Sequence, residues 1–448
     1  MRPSRHRARV LFVTACVLVV TVLAPNLLIT SCSSETVASS TGPAIRFTYA
    51  MSSIMEAMAT PAYVVDARDE WAGTVSGTVP WFLYAVLFAS TSVIVGVTWD
   101  ISWHRTIGRD TFWTPAHLAI YTGGIVAGLT CGWLALRLTF ASGKVVEAER
   151  AATVRFWGFR APLGAWVCIW GAFAMLTSAP FDDWWHNSYG LDVKILSPPH
   201  ALLAAGIGAI QCGAMLMAVA WQNRSDAMRA RLGHLYLISA GLLVVLIATL
   251  ATEYLQRWDM HQSLFYMVSA GVFPFMLVST ARASISRWPA TATALVYMGF
   301  MLVMLLVLPL FRAEPLLGPI YVHVTRFMPP DFPILLVVPA LLIDLAMQRL
   351  GRGRDWRLSA LIAIAFVIAF LAVQWPFADF LMTPWAQNAF FISDRIPYSI
   401  DPAFQARWFT LNKPDNHLAS GLPIAMLLAF VSTRCGLWWG NWMSRVQR

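Results

Sequence analysis

Long uncharged apolar runs alternate with short polar turns along most of this chain. Runs close to the ~20 residues that a helix needs to cross a bilayer occur at 80–99, 114–136, 161–181, 197–221, 232–252, 262–281, 289–311 and 358–378. Three further stretches have the same character, two of them weaker because a charge lies inside. They are 10–30, 332–348 with Asp344 inside it, and 418–437 with Arg434 inside it. Together they predict an all-α, polytopic membrane protein with about 11 transmembrane helices joined as hairpins. The segment 1–30 reads as an N-terminal anchor or a signal segment, with Ile29-Thr30-Ser31-Cys32 passing for a lipoprotein cleavage site. Residues 31–79 form an extramembrane or re-entrant segment, and 80–448 form the membrane domain. Within it lie two hairpins, 80–140 and 161–221, and a Pro-, Asp- and aromatic-rich loop, 379–417, long enough to cap the outer face.

Composition agrees with the pattern. Of 448 residues 58% are hydrophobic and 12% charged, and the mean hydropathy is +0.61, outside the range of soluble domains. A net charge of +9 would suggest nucleic acid in a soluble protein, but here the arginines gather in particular short loops. Arg155 and Arg160, then Arg224, Arg229 and Arg231, then Arg282 and Arg287, then Arg349, Arg352, Arg354 and Arg357, and finally Arg445 and Arg448 return to one face as helices are counted off. By the positive-inside rule that face is cytoplasmic, which places the chain in the cell (inner) membrane as a multi-pass protein and excludes nucleic acid as a partner. Six cysteines without a CxxC pair make neither a disulfide framework nor a zinc site.

Candidate chemistry sits in two loops that repeat each other. Asp100 to His117 reads DISWHRTIGRDTFWTPAH, and Asp182 to His200 reads DDWWHNSYGLDVKILSPPH. With one inserted residue, Asp100 aligns with Asp182, His104 with His186, Gly108 with Gly190, Asp110 with Asp192, Pro115 with Pro198 and His117 with His200. Each copy joins two apolar runs in the same direction, so the copies form a parallel internal repeat of two helical hairpins about an axis along the membrane normal. An aspartate and histidine four apart share one helix face. The second histidine opens the returning helix, behind a proline that suits a first helical turn. Each hairpin therefore offers two imidazoles and one carboxylate.

Two nitrogens and one oxygen without thiolate suit Cu(II), Fe(II) or Zn, with coordination positions left open. The candidate metal ligands are Asp100, His104 and His117 in one copy and Asp182, His186 and His200 in the other. Asp110, Asp183 and Asp192 are alternative ligands or groups that orient an imidazole, and Glu253 and His261 in the next outer loop are further ligands or a proton relay. The bland alternative is that these polar residues cap helix ends at a wet interface, which two registered copies make the weaker account. Tryptophans 99, 103, 113, 184 and 185 read as an interfacial belt, and Asp344 as one half of a local ion pair with Arg349.

The first copy resembles a known segment. Asp100, Ser102, Trp103, His104, Arg109, Asp110, Thr111, Thr114, Pro115 and His117 are similar in kind and spacing to the metal-site segment of the C subunit of particulate methane monooxygenase and ammonia monooxygenase. The resemblance implies copper held by Asp100, His104 and His117 within a membrane complex that oxidises a small apolar substrate with O2. It covers less than a tenth of the chain, and a second copy is not a known feature of that subunit. The expectation is a copper-dependent monooxygenase subunit that depends on other membrane subunits or a separate electron donor, with membrane lipid around it and its metal loops on the outer face. Two other readings stand beside it. One is a copper handling, storage or transport protein, and the other a haem protein with histidine axial ligands; iron or zinc are the alternative metals.

Overall fold

Because lipid offers no partner to a free peptide group, the apolar runs close their hydrogen bonds within helices. The computed structural model describes residues 78–189, 197–391 and 395–448, without the side chains of Asp183 and His186. The expectations for residues 1–77, including the anchor and most of the re-entrant segment, lie outside the described residues, as does Asp192. Among the described residues the chain is mostly helical, with twelve α-helices, nine of them long and apolar enough to cross a membrane.

The first two hairpins pair α1 (Trp81–Thr106) with α2 (Pro115–Phe140), and α4 (Leu163–Tyr189) with α5 (Pro198–Arg224). Both cross through small residues, as helices in lipid do when they associate by close packing. A Cβ on Gly123 would stand 2.6 Å from the Ala89 carbonyl oxygen, and one on Gly206 would stand 2.8 Å from that of Gly171. Val93 in the first pair and Met175 in the second lie against those same two glycines. A buried polar link ties the hairpins together: Ser90 donates its hydroxyl to Gln211 Oε1, and Gln211 Nε2 returns a bond of 3.0 Å to the Ser90 carbonyl. Cys131 and Cys168 are fully buried free thiols within this packing.

Between the hairpins run the short helix α3 (Lys144–Arg150) and a two-stranded antiparallel ribbon, β1 (Val154–Phe156) and β2 (Phe159–Ala161). Its turn, Trp157 at φ 47° and Gly158 at φ 86°, has the two positive φ values that a tight hairpin requires. The apolar pattern gave no sign of this ribbon.

The second half comprises α6 (Arg229–Leu250), α7 (Ser263–Ala283), α8 (Pro289–Val307), α9 (Val337–Leu350), α10 (Asp355–Leu381), the single turn α11 (Pro402–Gln405) and α12 (Leu418–Met443). Gly436 and Gly440 let α12 press on the α7 backbone, where added Cβ atoms would meet the Phe275 and Ser279 carbonyl oxygens at 2.7 Å.

The run 332–348 is not one spanning helix. Pro329, Pro330 and Pro333 deny amide donors to a helix, so the chain stays irregular until α9, which has only 14 residues. Side chains from other helices satisfy this backbone. Thr106 Oγ1 accepts from Met328 N at 2.8 Å, Tyr297 Oη from Ile334 N at 3.3 Å and Gln374 Oε1 from Leu335 N at 2.9 Å, while Ser102 donates to the Met328 carbonyl. Irregular backbone at membrane depth is stable only when protein covers it in this way.

Asp344, 1% exposed, is not paired with Arg349. Its two oxygens accept from Ala290 N at 3.0 Å and from Thr291 N and Oγ1 at 2.8 Å, capping the N-terminus of α8 from a neighbouring helix. At the same end Arg282, 6% exposed, reaches Asn441 Oδ1 at 2.7 Å and Asp355 Oδ1 at 2.9 Å. A buried guanidinium is tolerable only with such partners. The arginine-rich loops gather at this basic end; the two Asp/His loops lie at the other.

Candidate metal centre

The helix α1 does not stop where its apolar run ends. It continues for two turns to Thr106, which lifts Asp100 and His104 onto one face beyond the apolar run. It then terminates on Gly108, whose φ of +80° is a left-handed conformation favouring glycine. The Ile107 and Gly108 amides both return to the Trp103 carbonyl, at 2.7 and 3.2 Å. The Trp103 indole donates to the Arg109 carbonyl at 2.9 Å, and Thr114 Oγ1 accepts from Thr111 N at 2.8 Å. Motif residues that carry no metal chemistry thus set the path of the loop. Pro115 then starts α2, with Thr114 as its N-cap.

Four polar side chains converge inside this turn. His117 Nε2 lies 3.1 Å from Asp100 Oδ1 and 3.5 Å from Asp110 Oδ2. His104 Nε2 lies 3.5 Å from the same Asp110 oxygen and 3.8 Å from Asp100 Oδ2. Donor atoms of Asp100, His104 and Asp110 all fall within 4.8 Å of one another. Asp110 therefore stands among the converging donors and not behind them. His117 Nδ1 is 2.9 Å from the Thr111 carbonyl. A carbonyl can only accept, so Nδ1 donates there, and Nε2 is the ring atom turned toward the carboxylates.

The donor set fits a divalent cation: two imidazole nitrogens, two carboxylates and no thiolate. Two aspartates drawn together at a half-buried rim repel one another, and a cation between them removes that cost. His104 is the open side of the group, with half of its side chain exposed, whereas the side chains of Asp100 and His117 are 24% and 21% exposed.

The second hairpin repeats one of these contacts. His200 Nε2 lies 3.6 Å from Asp182 Oδ1, across the same two helix ends as Asp100 and His117. Ser197 caps α5 by accepting from His200 N, with Pro198 as the first helical residue. The backbone of α4 carries Asp183 and His186 into this region, but their side chains, and all of Asp192, are outside the described residues.

Glu253 and His261 do not enter the first cluster. Glu253 is exposed on a short 3₁₀ turn, Thr252–Tyr254. His261 stacks on Trp375 with ring centroids 3.9 Å apart and faces Asp379 Oδ1 at 3.4 Å. The tryptophans also divide. Trp113 and Trp184 are 72% and 53% exposed, as a belt requires, whereas Trp99 and Trp103 pack on Phe327.

Two contributors to the site were not foreseen. Tyr121 lies one turn beyond His117, with ring centroids 6.1 Å apart, and the charges of Asp100, Asp110 and Asp182 act on its hydroxyl. Its position four residues after His117 on a helix was the available signal. Tyr398, from the loop 379–417, places its hydroxyl where a Cβ at Gly108 would stand, and its carbonyl accepts from Tyr321 N and Val322 N at 2.9 and 3.0 Å. Nothing in the local sequence joins Tyr398 to Gly108.

Comparison with protein-family models, curated proteins and solved structures yields no match to this chain. What the fold and site define is a helical protein with nine candidate membrane spans among the described residues and an Asp/His cluster where two of them meet.

Proposed function

We propose that this protein is an integral membrane metalloprotein whose Asp100, His104, Asp110 and His117 hold one redox metal ion, copper, for oxidation of a small apolar substrate by O2. The observation that carries the reading is the convergence of two imidazoles and two carboxylates around the α1–α2 turn. Copper is preferred because the segment from Asp100 to His117 resembles the copper-binding segment of the monooxygenase C subunits. When bound, the ion would supply the electron-transfer and oxygen chemistry that side chains lack.

The remaining roles belong to the chain. Asp100 and Asp110 supply the negative charge that draws in the cation, and Thr111 fixes the His117 tautomer. Tyr121 is a neighbouring hydroxyl on which the charges of these carboxylates act. We read the hairpins as a parallel internal repeat with Asp182, His186 and His200 as a second site. The matching helix crossings at Gly123 and Gly206 support this, as do the matching His–Asp contacts at His117 and His200. With the arginine-rich loops in the cytoplasm, both sites face outward in the cell membrane. Electrons then come from a partner subunit or a quinol. Haem suits the cluster less well, because carboxylates crowd the side of each imidazole that a porphyrin would need.

A second reading, capture and handling of copper without oxidation, is favoured by the half-exposed His104, which leaves the group open to the medium. One experiment addresses both readings. Protein purified in detergent is loaded with Cu(II), and bound metal is counted for the wild type, His104→Ala and His186→Ala. The expected result is two equivalents, one of them lost in each variant; no tight copper in the wild type overturns the metal site. Oxygen uptake with a quinol donor then marks the oxidase, and its absence in copper-loaded protein marks the handling protein.

A further inference from the structure

At the opposite, basic end of the bundle, a cavity of about 170 Å³ opens between the α7–α8 turn and the α9–α10 turn. Its polar lining is dominated by arginine: Arg282 at the floor, with Arg287 and Arg352 at the mouth. Arg282 is fixed by Asn441 and Asp355. Arg352 leans over it, with Nη2 3.5 Å from the Arg282 carbonyl, close enough for the two guanidinium charges to act on one another. Gly351 and Gly353, at φ +63° and +94°, shape the turn that carries Arg352 there. Arg287 is set by Gln348, whose amide donates to the Arg287 carbonyl at 2.7 Å.

Asp355 is spent on Arg282, and the one carboxylate in the lining, Asp344, is not available to Arg287 and Arg352. Both of its oxygens are committed to the N-terminus of α8. Ser284 and Ser286 complete the wall. Their oxygens accept from Ser286 N at 3.1 Å and Trp288 N at 3.4 Å, so each hydroxyl proton remains to be donated. The adjacent Arg282 and Arg352, with Arg287 lying along the Trp288 ring at the rim, two hydroxyl donors and a volume of several waters make a receptor for a tetrahedral oxyanion.

We propose that this cavity binds a phosphate group, and that at the rim of a membrane-spanning bundle the group is carried by an anionic phospholipid or by a soluble phosphate. The site is independent of the metal cluster and needs neither copper nor turnover. Asp355 balances the buried Arg282, and an anion at the mouth would balance Arg287 and Arg352, which gives it a structural role in joining α7–α8 to α9–α10.

The test uses the full chain in nanodiscs of phosphatidylcholine, with and without phosphatidylglycerol. Inorganic phosphate is added to the phosphatidylcholine discs against sodium chloride of matched ionic strength. Thermal unfolding and native mass spectrometry of retained lipid are the readouts. Arg287→Gln/Arg352→Gln is the comparison, because both side chains are exposed and the one fold contact either makes, Arg352 to the Arg282 carbonyl, is long at 3.5 Å. If phosphatidylglycerol is retained and raises the unfolding midpoint, with affinity falling roughly thirtyfold in the double variant, the ligand is a lipid headgroup. If inorganic phosphate does the same, the ligand is a soluble oxyanion. If neither probe acts, or the double variant responds as the wild type does, the proposal is overturned.

Discussion

His117 reaches back across the α1–α2 turn to place its Nε2 3.1 Å from Asp100 Oδ1. Seventeen positions separate these residues in the sequence, yet one glycine-ended helix and one proline-started helix bring them into contact. Asp182 and His200 meet across the corresponding turn of the next hairpin, at 3.6 Å. The two contacts share a cause: a helix that outlasts its apolar run, and a return helix whose first turn carries an imidazole.

Asp110 is the discriminating residue of the cluster. A carboxylate oxygen 3.5 Å from both imidazoles should bind the ion directly, so Asp110→Asn is expected to weaken copper binding about as much as Asp100→Asn. That is at least the 10- to 100-fold loss typical of orienting groups, with helix content unchanged. Competition titration with a copper chelator, with circular dichroism as the control, measures it. Wild-type affinity in Asp110→Asn would return Asp110 to the solvated loop.

The helix crossings predict an asymmetric tolerance among glycines. Gly206→Leu drives a side chain into the Gly171 carbonyl and Met175 and should cost about 1–3 kcal/mol, the usual penalty for overpacking. Gly132 has open space where its Cβ would go, so Gly132→Ala should be neutral or gain up to about 1 kcal/mol from helix propensity. Thermal unfolding in detergent separates the two, and equal tolerance would contradict the close crossing.

Tyr398 gives the capping loop a pH dependence. Burial pushes its hydroxyl above the ordinary tyrosine range. A group whose folded-state value is raised contributes stability that is complete below its unfolded value and lost as pH rises through the folded one. The contact on Gly108 should therefore hold at neutral pH and loosen only in alkali, above about pH 10. Hydrogen exchange of residues 107–114, followed across that range, should show the step. Tyr398→Phe should abolish it, and a step that survives in this variant would refute the assignment.

Much of this protein could be read from its order of residues alone. Eight apolar runs became eight long helices, because lipid leaves a continuous apolar segment little alternative. The ninth, α12, spans Arg434 because that side chain extends over the Trp356 ring, 4.9 Å from its centroid. The Asp/His spacing was legible for the same local reason, since residues four apart on a helix share a face whatever surrounds them. Three features were not legible. The run 332–348 read as a candidate span, and only Thr106, Tyr297 and Gln374, all distant in sequence, satisfy the irregular backbone that precedes α9. Asp344 looked toward Arg349 along its own helix, and its true partners are amides of α8. Tyr121 and Tyr398 acquire their places from a helix packing and a strap from the far end of the chain, while Asp110, legible as an alternative ligand, is set among the donors by the path of its loop. Local rules decide which segments are helices and which side chains share a face. Where a polar group inside the bundle finds its partner is decided by tertiary packing, because burial makes that partner obligatory without fixing how far away in the sequence it lies.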